Sequence, residues 1–318
     1  FRVNLGDWAR LEPVEGFYDW GPVDETLTWA IENGYSTFFT IPAKTPTWRC
    51  DFSKQQADRC IPLDLADFAA FVDALMLHLV QFEADNGSLP ISAIAFGNEW
   101  AVNGSLASYP GDKEDYEAQQ NTVYDAVEQH LPLIPVALGG MSGGSTRTYA
   151  YCKGYLEIDE VFSRESYCPQ DYAAQIIETT EYILQNARYD ILDQHLYEYD
   201  ADWPHMLTAL INEALPVEKR SIPIVASEFG GPRGDIEVPD EETQAAKLTD
   251  YFDQLVQLPI GEALFYRLVE VGSETGETYR YSGLIDRELF DLFVEGGSPA
   301  IEKLTYWVYQ ARALEINP

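Results

Sequence analysis

The sequence predicts an α/β fold of the (β/α)8, or TIM, barrel class. Short apolar runs alternate with longer amphipathic ones along the whole chain, as in repeated β-α units. Several of the short runs, such as SAIAFG and IPIVAS, are apolar at nearly every position, which is typical of strands buried on both faces. No Ser-, Gly- or Pro-rich linker divides the 318 residues, so we expect one barrel domain over residues 1–318.

Seven strands, each followed by a helix, are predicted in chain order. The strands are expected at residues 2–5, 36–41, 92–97, 134–139, 190–197, 222–227 and 263–268. The helices are expected at residues 24–33, 64–85, 112–129, 171–187, 204–215, 241–258 and 299–313.

Local signals justify the helices in the same order. Gly34 follows the first helix and Gly87 the second, as glycines do where a helix ends in a left-handed residue. The helix at 112–129 opens with acids, which suit the positive end of the helix dipole, and the helix at 204–215 opens with Pro204. In the helix at 64–85, the spacing i, i+3, i+4 places one set of apolar side chains on one buried face: Phe68, Phe71, Val72, Leu75 and Leu79.

A closed barrel has eight strands, and seven are predicted. We therefore expect the seven to be strands two to eight, with the first β-α unit missing or truncated before Phe1. An open, doubly wound sheet is the alternative. That fold would call for a glycine-rich phosphate loop after the first strand, and Gly6-Asp7-Trp8 is not one.

The charge is strongly negative, with 53 Asp and Glu against 20 Lys and Arg, a net charge of −33. Such a surface repels phosphates and anionic lipid heads, so neither nucleic acid nor a membrane is expected as a partner, and no apolar run reaches membrane-spanning length. The acids are spread along the chain, which fits a saline habitat where salt screens self-repulsion. An ordinary acidic secreted enzyme fits nearly as well. The oligomeric state stays open, and a monomer is compatible with the sequence.

The four cysteines form two local pairs, Cys50 with Cys60 and Cys152 with Cys168. No CxxC motif occurs and no histidine adjoins either pair, which argues against zinc. Two short-range disulfides predict an oxidising, extracellular compartment. Four free thiols in a cytosolic enzyme are the alternative.

Working residues of such barrels lie at the carboxyl ends of the strands. Two glutamates stand there directly after buried apolar strands, Glu99 in Gly97-Asn98-Glu99-Trp100 and Glu228 in Ser227-Glu228-Phe229-Gly230. An acid in that place costs desolvation unless it is paired or used. Cleavage of a glycosidic bond uses such a pair, one carboxyl holding a proton and the other staying ionised. The alternative is that each is a solvated loop acid.

At these positions the sequence resembles the clan A glycoside hydrolases, most closely families 39 and 5. The matching stretches run nearly end to end: Trp8 to Pro13 with Glu15 to Trp20, Thr45-Pro46-Thr47-Trp48, Asn98-Glu99, Glu114-Asp115-Tyr116, Glu228 in Ser-Glu-Phe-Gly, and Ser282 to Asp286. Asn-Glu alone is nonspecific, whereas the ordered set is typical of the clan.

The resemblance implies a retaining β-glycosidase that acts on β-linked oligo- or polysaccharides without a cofactor or metal. Glu99 would be the acid/base and Glu228 the nucleophile. Asn98 would bind the sugar 2-hydroxyl, Tyr197 would orient the nucleophile, and Arg2 would keep it ionised. Asn98 and Glu99 are adjacent, so both can serve one site only if the backbone leaves strand geometry there.

Several further residues are candidates for binding sugar. Trp48 and Trp100 are either sugar platforms or loop anchors, and His195 either binds a sugar hydroxyl or is a satisfied core histidine. The clan's strand-eight tryptophan is absent, and Tyr266 or Phe265 is expected to replace it. Glu270 is a further candidate that cannot be aligned firmly.

Two rival functions are open. A non-catalytic sugar-binding barrel would keep the aromatic platforms and lose one acid, and both acids are present. A metal-dependent barrel hydrolase needs clustered ligands, and the histidines at 78, 130, 195 and 205 show no ligand spacing. The sugar, the linkage and the choice between exo and endo action do not follow from the sequence.

Overall fold

A computed structural model describes residues 1–55, 59–101, 109–158, 163–197, 199–230, 240–266 and 309–310. The chain divides into two compact units, which are described separately. Unit 1 contains Phe1–Asp193 and Thr208–Pro223, and unit 2 contains Gln194–Leu207 and Ile224–Pro318.

Eight strand segments and nine α-helices are found in the described part of the chain. The strands are β1 Arg2–Val3, β2 Thr37–Ile41, β3 Ile91–Phe96, β4 Val136–Leu138, β5 Leu192–Asp193, β6 Leu196–Tyr197, β7 Ile224–Gly230 and β8 Glu262–Phe265. The helices are α1 Trp8–Leu11, α2 Gly21–Asn33, α3 Leu65–Asn86, α4 Lys113–His130, α5 Gly143–Cys152, α6 Arg164–Tyr167, α7 Asp171–Asn186, α8 Trp203–Ala209 and α9 Glu241–Leu255.

In unit 1, strands β1 to β4 lie side by side in chain order and are all parallel. The chain at β5 continues this order, because Ile191 forms a parallel bridge with Ala137 and accepts a 3.0 Å hydrogen bond from the Leu138 amide. Every residue of β2 and β4 is buried. This explains the unbroken apolar runs in the sequence, since parallel strands are covered on both faces.

In unit 2, β6 and β8 flank β7, and both pair with it in parallel. Leu196 lies opposite Phe229, and Val225 lies opposite Glu262. The carboxyl end of β7, which carries residue 228, therefore lies between the ends of β6 and β8. This places side chains from three strand ends at one edge of the sheet.

The structure confirms the predicted C-terminal ends of α2 and α3 and the acidic N-terminus of α4. Gly34 and Gly87 adopt left-handed φ values of 70° and 77° directly after α2 and α3. Helix α4 opens with a reciprocal capping box, in which the side chains of Asp112 and Asp115 each accept the other's backbone amide. These boundaries can be predicted from sequence because glycine adopts left-handed backbone without a steric penalty, and because short acidic side chains cap helix N-termini.

One predicted strand and one predicted helix differ in form from the structure, and three helices were not predicted. The strand expected at 190–197 is two short strands, and between them the side-chain amide of Gln194 donates to the carbonyl of His195 at 2.8 Å, which occupies a group that a strand ladder would use. The helix expected at 204–215 ends as a π-helical turn at Leu210–Ala214. Helices α1, α5 and α6 were not predicted, because α5 opens with two glycines and α1 and α6 have four residues each. Most of the helix expected at 299–313 lies outside the described residues, and residues 309–310 are helical.

Helix α3 is long and apolar enough to cross a membrane by length and composition, and no other described helix is. The expectation from sequence concerned an uninterrupted apolar run, and Asp67 and Asp73 interrupt α3, which meets the criterion by its mean hydropathy. Seven of its side chains, including Phe71, Leu75 and Leu79, are buried. A core helix meets the same criterion, so the observation is weak support for a membrane span.

Both predicted disulfides are formed, and they account for all four cysteines. The Cα atoms of Cys50 and Cys60 are 5.6 Å apart, as are those of Cys152 and Cys168. Each bridge closes a short loop of unit 1, with sequence separations of 10 and 16. The pairing is compatible with an oxidising compartment, and secretion itself stays a prediction.

Removing the longer loop's disulfide by the double substitution Cys152→Ser and Cys168→Ser is expected to lower the free energy of unfolding by about 3 kcal/mol, because the unfolded chain gains the entropy of an open loop. Urea unfolding, followed by circular dichroism, measures the change. The matched double substitution Cys50→Ser and Cys60→Ser opens a shorter loop. It should therefore lower the free energy of unfolding slightly less. Equal stability with and without the 152–168 bridge would contradict the expectation.

Candidate active site

The chain leaves strand geometry directly after β3, where the predicted acid/base stands. Gly97 has a φ of 75° and Glu99 a φ of 46°, so two of the three residues after Phe96 are left-handed. A left-handed glutamate is uncommon, since only glycine adopts this region without a steric penalty. The alternation that would send Asn98 and Glu99 to opposite faces is broken, as the sequence reasoning requires.

Asn98 is tied to the first strand through Arg2. The Arg2 Nη2 donates to the Asn98 Oδ1 at 2.7 Å, and its Nε donates to the Thr40 hydroxyl at 3.2 Å. The guanidinium therefore bridges the ends of β1, β2 and β3 within unit 1, and it fixes the Asn98 amide with its oxygen toward Arg2. The further role implied for Arg2, keeping the nucleophile ionised, stays a prediction.

The two tryptophans predicted as sugar platforms or anchors differ in exposure. Trp100 is 3% exposed, and its indole N–H donates to the Gly139 carbonyl at 2.5 Å. These contacts favour an anchor. Trp48 is half-buried, donates to the Glu12 carbonyl at 3.3 Å, and has the Arg49 guanidinium 5.3 Å from its ring centre. Trp48 is therefore less buried than Trp100, and its role as a sugar platform stays a prediction.

In unit 2, the Glu228 carboxylate at the end of β7 accepts a hydrogen bond from the Tyr197 hydroxyl at 2.6 Å. His195 lies two residues before that tyrosine, and its Nδ1 is 3.5 Å from the same carboxylate oxygen. The His195 ring is fully buried, and its Nε2 is 3.4 Å from the Ser227 hydroxyl. Both ring nitrogens thus have polar neighbours inside the protein. This favours a buried histidine that lies behind Glu228 over one that binds a sugar hydroxyl.

The strand-eight candidates also separate. The ring of Tyr266 meets that of Tyr197 edge to face at 5.8 Å, and its amide donates to the Phe229 carbonyl at 2.7 Å. Phe265 instead packs on Phe229 at 5.3 Å and on Tyr309 at 5.4 Å. Of the two strand-eight candidates, Tyr266 is therefore the one that contacts Tyr197, the hydrogen-bond partner of Glu228. The further candidate at position 270 lies outside the described residues.

Glu12 belongs to the motif from Trp8 to Pro13, and the structure gives its carboxylate a specific place. Its carboxylate is 5% exposed and accepts the Trp8 indole N–H and the Gly16 amide, both at 2.7 Å. The hydroxyl of Tyr18 also bonds to it, and burial together with this carboxylate raises the pKa of Tyr18. Glu12 therefore fastens the loop after β1. The signal in the sequence is an acid that stands between the apolar residues Leu11 and Pro13.

No family model and no curated protein matches the chain. Solved structures do match. The exo-β-1,4-mannosidase Op5Man5 from Opitutaceae bacterium strain TAV5 has a TM-score of 0.59 at 17% identity, and the match covers 100% of this chain and 52% of that protein. A glucosidase from Croceicoccus marinus has a TM-score of 0.57 at 15% identity, with coverage of 88% and 54%. A GH39 β-xylosidase from Caulobacter crescentus has a TM-score of 0.61 at 16% identity, with coverage of 99% and 62%.

A likeness at this level of identity shows the fold, and it is the (β/α)8 barrel class predicted from the alternating pattern. The chain spans between half and two thirds of the length of these three proteins. The activities in their names are those of the whole matched proteins.

Proposed function

We propose that the protein is a retaining β-glycoside hydrolase that acts on β-linked oligo- or polysaccharides. Glu99 is the acid/base and Glu228 the nucleophile. The observation that carries the proposal is the Glu228 carboxylate at a strand end, held by the Tyr197 hydroxyl at 2.6 Å. The likeness of the fold to named glycosidases supports the same reaction class.

The mechanism is a double displacement. In the first step the Glu228 carboxylate attacks the anomeric carbon, while the protonated Glu99 donates its proton to the leaving oxygen and the glycosidic bond breaks. In the second step the ionised Glu99 takes a proton from water, and the water oxygen attacks the anomeric carbon and displaces Glu228. Both carboxyl groups return to their starting states, so no cofactor or metal is consumed.

Each neighbouring residue has a role in this scheme. Asn98, oriented by Arg2, hydrogen-bonds the sugar 2-hydroxyl, where an interaction that strengthens in the transition state accelerates the reaction. Tyr197 orients the nucleophile, with His195 behind it. Trp48 and Tyr266 offer apolar ring surface to the sugar, which packs its C–H faces on aromatic rings.

The stereochemistry of the product tests the proposal. Aryl β-mannosides, β-glucosides and β-xylosides, chosen from the names of the three matched proteins, are incubated with the protein and followed by proton NMR. A retaining enzyme releases the β-anomer first, before mutarotation, and requires the two carboxyl groups to lie about 5–5.5 Å apart. The α-anomer as first product would contradict double displacement.

The missing strand-eight tryptophan favours one other function, a non-catalytic carbohydrate-binding barrel, because Tyr266 offers a smaller ring at that place. The same three sugars distinguish the two functions. Binding of oligosaccharides without release of the aryl group, measured by calorimetry and by absorbance, would replace the hydrolase with this alternative.

The place of action that fits best is outside the cell, because the two disulfides persist in an oxidising compartment. The strongly acidic composition also fits a saline medium. A carbohydrate substrate is the proposed partner, and neither nucleic acid nor a membrane is proposed.

A further inference from the structure

We infer that Tyr116 of α4 is a positioning residue for the proposed acid/base, and that its hydroxyl holds the backbone turn that carries Glu99. The inference rests on the proposed function, because it assigns Tyr116 an effect on acid catalysis. Tyr116 acts through the backbone.

The hydroxyl of Tyr116 joins the ends of two strands where their pairing stops. Phe96 lies opposite Leu138 in the last pair of the β3–β4 ladder. Directly beyond it, the Tyr116 hydroxyl donates to the Phe96 carbonyl at 3.0 Å and accepts the Gly139 amide at 3.1 Å. One buried side-chain group thus replaces the strand ladder at the point where the chain turns toward Glu99.

The ring of Tyr116 also packs against this turn. It contacts the ring of Phe96 at 5.6 Å and that of Trp100 at 5.4 Å, so the rings at both ends of the five-residue turn rest on it. A Cβ on Gly97 would lie 2.9 Å from the Tyr116 ring, which means that only glycine fits between them. Complete burial raises the pKa of Tyr116, which favours the protonated phenol that donates this hydrogen bond.

Tyr116 and Glu99 both hydrogen-bond to the segment directly after β4, at Gly139 and Gly140. The Glu99 amide donates to the Gly140 carbonyl at 2.7 Å, and the Trp100 indole donates to the Gly139 carbonyl at 2.5 Å. Gly139 is itself pressed on the turn, because a Cβ there would lie 2.3 Å from the Phe96 carbonyl oxygen. The hydroxyl therefore fixes Gly139, and the Gly139–Gly140 segment fixes the left-handed Glu99.

A left-handed glutamate persists only where its surroundings hold it. Loss of the Tyr116 hydroxyl would leave the Phe96 carbonyl and the Gly139 amide buried without this partner, and the turn would shift to satisfy them. The Glu99 carboxyl would then be misplaced for proton donation.

The test is Tyr116→Phe, assayed with aryl β-glycosides whose leaving groups span a wide range of pKa. We expect kcat/KM to fall about 10- to 100-fold for poorly leaving phenols, which need a proton. For a dinitrophenyl glycoside, which needs none in the first step, kcat/KM should stay within about threefold of the wild type. A purely structural loss would lower both to the same extent, and that result would overturn the inference.

The matched control is Tyr124→Phe, which removes a hydroxyl on the same helix that bonds to Asp190 at 3.1 Å. It should leave the dependence on the leaving group unchanged. If Tyr116→Phe does not fold, Trp100→Phe, which removes the donor to Gly139, takes its place with the same two outcomes. Glu99→Gln in the same assay separates the two proposals. If only that variant shows leaving-group dependence, this inference is wrong; if neither does, or if the wild type has no turnover, the proposed function fails and the inference fails with it.

Discussion

Replacing Glu228 with alanine is expected to lower kcat/KM for aryl β-glycosides by at least about 10³-fold while the protein stays folded, because the proposed mechanism requires this carboxylate to form the covalent intermediate. The side chain lies at a strand end and is 17% exposed, so its removal leaves a site that water can fill. Circular dichroism and thermal unfolding verify the fold. Initial rates with dinitrophenyl glycosides measure the loss.

Azide sharpens this test, since it can replace a missing carboxylate. In Glu228→Ala, azide added to the assay should attack the anomeric carbon directly and give the α-glycosyl azide from a β-glycoside. Glu242→Gln is the matched control, because Glu242 is an exposed acid of the same unit, and it should retain wild-type rates. Activity of Glu228→Ala within tenfold of the wild type would remove Glu228 from the nucleophile's role.

Replacing Glu99 with glutamine is expected to produce a second, distinct pattern. For poor leaving groups kcat/KM should fall about 10²- to 10⁴-fold, the usual contribution of a general acid. For dinitrophenyl glycosides the first step should proceed and the glycosyl-enzyme should accumulate, seen as a burst of dinitrophenolate, because no base activates water. Azide should then release the β-glycosyl azide, since it attacks the intermediate from the face that water uses.

The two azide products distinguish the two carboxylates. The α-azide from the Glu228 variant together with the β-azide from the Glu99 variant is the expected pair. If both variants gave the same anomer, one of the assignments would be wrong. If the Glu99 variant lost activity equally toward all leaving groups, the acid would have to be sought elsewhere.

Periodicity and caps located the regular part of the fold well. Helix α3 was predicted at 64–85 and found at Leu65–Asn86, because one apolar face and a terminal glycine determine such a helix locally. Helix α5 was missed because Gly143 and Gly144 oppose a helix, and its formation depends on the Ser142 cap and on burial of the Tyr149 face. Tertiary packing that overrides local preference is not visible in a single sequence.

Within the candidate site, strand ends were predictable and side-chain surroundings were not. The position of Glu228 beside Tyr197 follows from parallel strands ending at one edge. That Trp100 is buried and bonded to Gly139 does not follow, because an indole after a strand suits a sugar or a core equally. The place of Tyr116 could be suspected only as a tyrosine in a motif, since its two hydrogen bonds join residues 20 and 23 positions away.

The conformation of residue 99 sets stability against activity at one position. Glycine would adopt a φ of 46° without the steric penalty of about 1 kcal/mol that a side chain incurs there, so glycine relieves backbone strain whereas the proposed acid catalysis requires glutamate. Selection for thermal stability alone would favour replacement of Glu99 by glycine. A glutamate kept at this position in descendants of the protein would therefore record continued use of the reaction.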